Sequence, residues 1–192
     1  MQITETGLMA DGTKVYNISQ KDDPPLIYFS KTRDVKSPNR AHPTDAGIDF
    51  FLPNQFTQND IKHSKEVTKS YISLTDDGKI VIPSFESILI SSGTKWIVPE
   101  NWAMIFFNKS GVASKKHLTV GACVVDSDYR GEVHINLINT SCHEVIIAPG
   151  EKIAQAVLLP IGNHKPFEVD DIMKFSPPTE RGEGGFGSSG VQ

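Results

Sequence analysis

Cysteine is scarce: Cys123 and Cys142 are the two among 192 residues, and their separation has neither metal-ligand nor redox-motif spacing. Both are therefore expected to be reduced core thiols in a cytosolic compartment. The six histidines form no metal pattern either. No apolar run approaches the roughly 20 residues that span a bilayer. The N-terminus lacks a basic segment followed by an apolar one, so a soluble, non-exported protein with no membrane partner is expected. Positive charge is not in excess, with 19 Lys and Arg against 23 Asp and Glu for a net charge of -4. That balance argues against nucleic acid as a partner, and an acidic chain that handles phosphates must do so at a local site. No helical period of useful length occurs.

What is present is a series of short β-rich runs. Ile80-Val81-Ile82, Ile88-Leu89-Ile90, Lys95-Trp96-Ile97-Val98 and Trp102 to Phe107 are separated by Pro, Ser, Gly and Asn. Strands at this spacing predict an all-β barrel or jelly roll, with one short helix over Ala113 to Lys116. Leu26 to Phe29 is expected as a first buried strand, Leu118 to Val125 as another, and Cys142 to Ile147 and Lys152 to Leu159 as the last. Residues 1–23 form an N-terminal extension, 24–178 the β domain and 179–192 a glycine-rich arm. Residues 53–78 are polar, and nothing in them demands burial; they are expected as a surface insertion with a short element around Val67 to Leu74, or as a mobile loop.

Two stretches stand out. Val124 to Asn139 reads V-V-D-S-D-Y-R-G-E-V-H-I-N-L-I-N, with turn-forming residues at Asp126-Ser127-Asp128 and strict alternation from Val133 to Asn139. This predicts a β-hairpin carrying two carboxylates and a tyrosine at its bend. Arg181 to Gly190 reads R-G-E-G-G-F-G-S-S-G. Such a backbone is costly to order, and the plain reading is a solubilising end. Yet one arginine, one aromatic ring and two hydroxyls also suit closure over a ligand with a phosphate end and a flat end.

Five stretches together resemble the motifs of the homotrimeric dUTPase family. They are Asp45-Ala46-Gly47-Ile48-Asp49-Phe50, Lys109-Ser110-Gly111-Val112-Ala113, Val124 to Asn139, Pro149-Gly150-Glu151-Lys152-Ile153-Ala154-Gln155, and the tail. The resemblance implies a homotrimer with a C-terminal arm that closes the site. It also implies hydrolysis of dUTP to dUMP and pyrophosphate with Mg²⁺, limiting uracil in DNA and supplying dUMP for dTMP synthesis. Asp126 would activate the water, and Tyr129 would pack on the deoxyribose and exclude a 2′-hydroxyl. The backbone at Cys123, Val124, Val125 and His134 would take the uracil. Lys109, Ser110, Gly111 and Gln155 would hold the phosphates. Arg181, Ser188 and Ser189 would reach the γ-phosphate while Phe186 stacks on the base. Mg²⁺ would ride on the phosphates and water with Asp49 nearby and no direct protein ligand. The compartment implied is the cytoplasm, or the host cytoplasm for a viral protein.

The chain departs from the family pattern at three positions. Lys109 stands where arginine is usual, Cys123 where glycine is usual and Ile48 where tyrosine is frequent. Lysine offers a point charge in place of a planar fork. The related dCTP deaminases carry a catalytic glutamate at the position of Asn136, whose amide cannot act as that base. A third reading is a phage-type enzyme whose 53–78 insertion binds a regulatory protein.

Overall fold

The computed structural model describes residues 2–12, 14–19, 26–57, 60–62, 72–162, 164–180, 182 and 184. It divides into two compact units, Met1–Ile161 and Gly162–Gln192. Arg181, Phe186, Ser188 and Ser189, expected to serve the site, lie outside the described residues, as do positions 67–71 of the element expected in the insertion.

The first unit is a β jelly roll with one short helix. β1 (Gln2–Leu8) and β2 (Lys14–Ser19) pair with each other as an antiparallel ribbon. One main sheet contains β4 (Ile48–Phe51), β10 (Trp102–Phe107), β12 (Val124–Val125) and β15 (Lys152–Pro160), in the order β12-β10-β15-β4. The other contains β5 (Ile61–Lys62), β8 (Ser87–Ser91), β11 (Leu118–Val120) and β13 (His134–Asn139), in the order β11-β13-β8-β5. Smaller sheets join β14 (Val145–Ile147), β7 (Ile80–Ile82) and β6 (Ser73–Leu74), and pair β3 (Tyr28–Lys31) with β9 (Thr94–Ile97).

The alternation seen in the sequence is the core pattern. Val133, Ile135, Leu137 and Asn139 are all buried, while His134, Asn136 and Ile138 between them are half-buried. Each fully buried Ile or Leu contributes about 1.5–3 kcal/mol of transfer free energy. Phe50 bridges the aromatic centre, edge-on to Phe106 at 4.8 Å and tilted against Trp96 at 5.5 Å. Buried Asn139 is satisfied on both sides of its amide: Nδ2 donates to the carbonyls of Ile82, Pro83 and His143, and Oδ1 accepts from Ser141. Those bonds gather residues 140–143 into a loop, so the strand expected from Cys142 begins only at Val145.

Three other expectations need correction. The strand expected at Leu26 to Phe29 runs instead over Tyr28–Lys31 and is exposed along its length; among the described residues its ladder partner is β9. The thiols are not core groups: Cys142 is exposed and Cys123 half-buried. The insertion does contribute to the core through Ile72, which is 4% exposed beside β6.

The second unit holds a 3-10 turn, Ile172–Lys174, capped by the Asp171 carboxylate, which accepts from Met173 N at 2.9 Å. Phe167, Ile172, Met173 and Phe175 are exposed.

Candidate active site

The stretch expected to be a simple hairpin is split. β11 pairs with β13 from Leu118 opposite Asn139 to Val120 opposite Leu137, and the ladder ends where Gly121 N donates to Asn136 O at 3.0 Å. There the backbone approaches so closely that a Cβ on Gly121 would stand 1.9 Å from Asn136 Oδ1. That oxygen accepts from Ala122 N at 3.1 Å, and Asn136 Nδ2 donates to Ile88 O at 3.0 Å. The chain then changes sheets. Cys123 O accepts from Phe106 N, and Val124–Val125 pairs with β10 instead of with β13. The expected continuous strand from Leu118 to Val125 is interrupted at the same place.

The parting of the two arms opens a cavity of about 300 Å³ lined by Leu89, Val124, Val125, Asp126, Tyr129, Val133 and His134. Its size lies at the small end of the usual range for small-molecule sites. Asp126 is exposed on the rim, and its carbonyl accepts from Tyr129 N at 3.2 Å to close the turn. Tyr129 Oη donates to Glu132 O at 2.8 Å. The same carbonyl lies 2.9 Å from His134 Nδ1, and because a carbonyl can only accept, Nδ1 carries the proton. His134 Nε2 is then the acceptor for the Ser91 hydroxyl at 3.2 Å. The imidazole is held from both sides.

A second cluster is built on β4, the start of α1 (Ser110–Lys116) and β15. Asp49 is buried, with Lys109 Nζ 2.6 Å from Oδ1 and Lys152 Nζ 2.7 Å from Oδ2. The Lys152 contact is an ion pair at close range without the angle of a directed hydrogen bond. Burial pulls the Asp49 carboxyl upward, but the contacts with Lys109 and Lys152 outweigh it and hold the group below the usual carboxylate range. Lys109 caps the helix entrance in an extended conformation, and Gln155 Nε2 donates to Asn108 O at 2.9 Å beside it. Asp49 was expected near a metal through water; here both its oxygens face lysines. Lys152 was missed among the candidate residues, although it lies in the Pro149 to Gln155 motif and a buried carboxylate requires a cationic partner.

A depressed folded-state value means that the Asp49 contribution is complete above the ordinary carboxylate value of about 4 and is lost as pH falls toward the folded value. Asp49→Asn is expected to cost about 1–3 kcal/mol at neutral pH, since both lysines keep partial access to water. Melting temperatures of the two proteins, followed from pH 7 to pH 3, should converge on acidification. A constant gap would remove Asp49 from this role.

The predicted residues therefore fall into two groups. Val124, Val125, Asp126, Tyr129 and His134 line the cavity, whereas Cys123, whose carbonyl is taken by Phe106 N, and Lys109, Ser110, Gly111 and Gln155 are absent from its lining. Among the described residues no three His, Cys, Asp or Glu side chains group as a metal site, and no helix is long and apolar enough to cross a membrane.

Comparison with known proteins gives a concordant result. The dUTPase family model matches residues 72–190. A deoxyuridine 5'-triphosphate nucleotidohydrolase of Hydrogenobaculum sp. is 40% identical over 118 residues, covering 60% of this chain and 79% of that protein. The enzyme of the same name from Corynebacterium jeikeium is 31% identical over 173 residues, covering 88% and 96%. Among solved structures, the Staphylococcus bacteriophage 80alpha dUTPase with dUPNHPP superposes with a TM-score of 0.68 at 25% identity, covering 88% of this chain and all of that one. Phage dUTPases such as that one are described as controlling transfer of virulence genes by a proto-oncogenic G protein-like mechanism.

Proposed function

We propose, from the premise that this chain belongs to the dUTPase family, that it hydrolyses dUTP to dUMP and pyrophosphate by attack of water on the α-phosphorus. The observation that carries this reading is the cavity between the parted arms, with Asp126 on its rim and Tyr129 and His134 in its wall. Backbone edges at Val124, Val125 and His134 in the cavity wall, with Cys123 adjoining in sequence, suit a flat base, which they would grip as a pairing strand would. The Tyr129 ring in the cavity wall is the group that would pack on the sugar and exclude a 2′-hydroxyl.

Asp126 accepts a proton from the attacking water as its oxygen bonds to the α-phosphorus, and the bond from that phosphorus to the bridging oxygen breaks to release pyrophosphate. Lys109 and the backbone at Ser110 and Gly111, with Gln155, hold the phosphate chain. Asp49 presents the Lys109 ammonium in a fixed place and Lys152 adds a second positive charge. The donor set suits a Mg²⁺ that arrives on the triphosphate, because Asp49 is committed to lysines. When bound, the ion supplies neutralisation of phosphate charge. Asn136 is engaged at both ends of its amide as a brace, which disfavours a deaminase.

Because the phosphate cluster is absent from the cavity lining, a complete site is best supplied by a homotrimer in which one copy brings the cavity and another brings Lys109 and Gln155. The arm with Arg181, Phe186, Ser188 and Ser189 closes it from a further copy. The likeness to the phage protein favours one additional role, contact of residues 53–78 with a protein partner. The reaction is tested by hydrolysis in ¹⁸O-water. Label is expected in dUMP and absent from pyrophosphate; label in pyrophosphate would place attack at a different phosphorus.

A further inference from the structure

Arg33 belongs to none of the motifs, yet it sits at the junction of three segments. Its side chain is 25% exposed. One terminal nitrogen pairs with Asp60, and the other donates to Glu132 Oε2 at 3.1 Å. The second carboxylate oxygen of Asp60 is held by Thr57 through N and Oγ1, both at 2.8 Å. Glu132 Oε1 accepts from Gly93 N at 2.8 Å, so both oxygens of Glu132 are engaged. Gly93 is required there: its φ is +75°, and a Cβ would stand 2.9 Å from both Arg33 Cγ and Val35 Cγ1.

The consequence appears one atom group further on. The Glu132 main-chain carbonyl receives both Tyr129 Oη at 2.8 Å and His134 Nδ1 at 2.9 Å. Glu132 itself is absent from the cavity lining, whereas Tyr129 and His134 form its wall. Arg33 thus fixes a residue behind the wall, and that residue fixes the two rings in it.

We propose that Arg33 is a positioning residue for nucleoside selection: acting through Glu132, it sets where the Tyr129 ring stands and hence whether a 2′-hydroxyl is excluded. The inference rests on the reading of the cavity as the deoxynucleoside site. A rigid wall rejects a larger sugar sterically, and a wall free to yield loses that rejection before it loses chemistry, because Asp126 is held by its own turn. Asp60 gives the residue a second anchor in the 53–78 segment, so that segment and the wall share one guanidinium.

The test compares wild type, Arg33→Met, Arg33→Lys and Glu132→Gln with dUTP and UTP. For Arg33→Met, KM for dUTP should rise about tenfold, kcat should stay within about threefold, and the dUTP-to-UTP ratio of kcat/KM should fall at least about tenfold. Arg33→Lys should be intermediate, since one ammonium cannot serve both carboxylates as a fork does. Glu132→Gln should repeat the pattern, and the Arg33→Met, Glu132→Gln double variant should be no worse than the more affected single one. If Arg33→Met does not fold, Glu132→Gln decides by the same criterion. An unchanged dUTP-to-UTP ratio, or a loss confined to kcat, would overturn the proposal. A wild-type protein that leaves dUTP intact would bring down the functional reading and this proposal together; a selective wild type with unaltered variants brings down this proposal alone.

Discussion

Asp126→Asn is expected to lower kcat for dUTP by about 10³-fold while leaving the dissociation constant of a non-hydrolysable analogue within a few-fold of wild type. A positioned general base is worth roughly 10²–10⁴-fold, and the amide keeps the size of the carboxylate but has no basic oxygen to take the proton of water. The fold should tolerate the change. Asp126 is exposed, and the turn it begins is closed by its main-chain carbonyl, which accepts from Tyr129 N. Single-turnover rates set beside analogue titration separate the two effects. A variant that binds and turns over normally would show that another group takes the proton. A variant that fails to bind would make Asp126 a contact and leave the base unassigned.

The exposure of Asp126, the proposed base, and the burial of Asp49 place one residue type in two opposite settings. Asp126 stands at a solvent-facing rim, where a water can reach it. Asp49 is 2% exposed and faces two ammonium groups, so its charge sets the place of Lys109. Lysine at position 109 is a departure from the family pattern, and its flexible stem would leave the ammonium poorly placed without a partner. A buried carboxylate at 2.6 Å supplies that order.

Much of the fold was legible because period-2 alternation is a local property. The strands at Ile80–Ile82, Ser87–Ser91, Trp102–Phe107, His134–Asn139 and Lys152–Pro160 all occur where short apolar runs stand between turn residues. The helix at Ser110–Lys116 was also anticipated, although its start lies three residues earlier than Ala113. Burial was less legible. Leu26 to Phe29 has the composition of a core strand, but exposure depends on how many strands lie beside it, and among the described residues β3 has one.

The site was legible as a set of residues and not as an arrangement. The D-S-D-Y-R-G turn marks Asp126 and Tyr129 from sequence, yet the cavity beside them exists because Cys123 O is taken by Phe106 N on another strand. No pattern within residues 124–139 encodes that choice. The Arg33 cluster is harder still to see. Its partners lie 27 and 99 positions away, so no spacing rule links them. Arg181, Phe186, Ser188 and Ser189 were named from the tail motif, and their part in closure rests on the chemistry of those side chains.

Substrate discrimination is the second large effect, and it follows from the same cavity. A wall in which the Tyr129 hydroxyl is tied to Glu132 and the His134 ring is tied at both nitrogens has little freedom to accept extra atoms. A 2′-hydroxyl would press on the tyrosine, and a 5-methyl group on the base would press on the strand edges. Cytosine would present a donor where uracil presents an acceptor, leaving backbone groups unpaired at a cost of about 10²-fold or more. The most direct measurement is pyrophosphate release from dUTP, UTP, dTTP and dCTP in parallel with Mg²⁺, with ammonia followed in the dCTP reaction. Release is expected from dUTP with kcat/KM at least about 10³-fold above each of the others, and no ammonia. Comparable release from UTP or dTTP, or ammonia from dCTP, would contradict the proposed function.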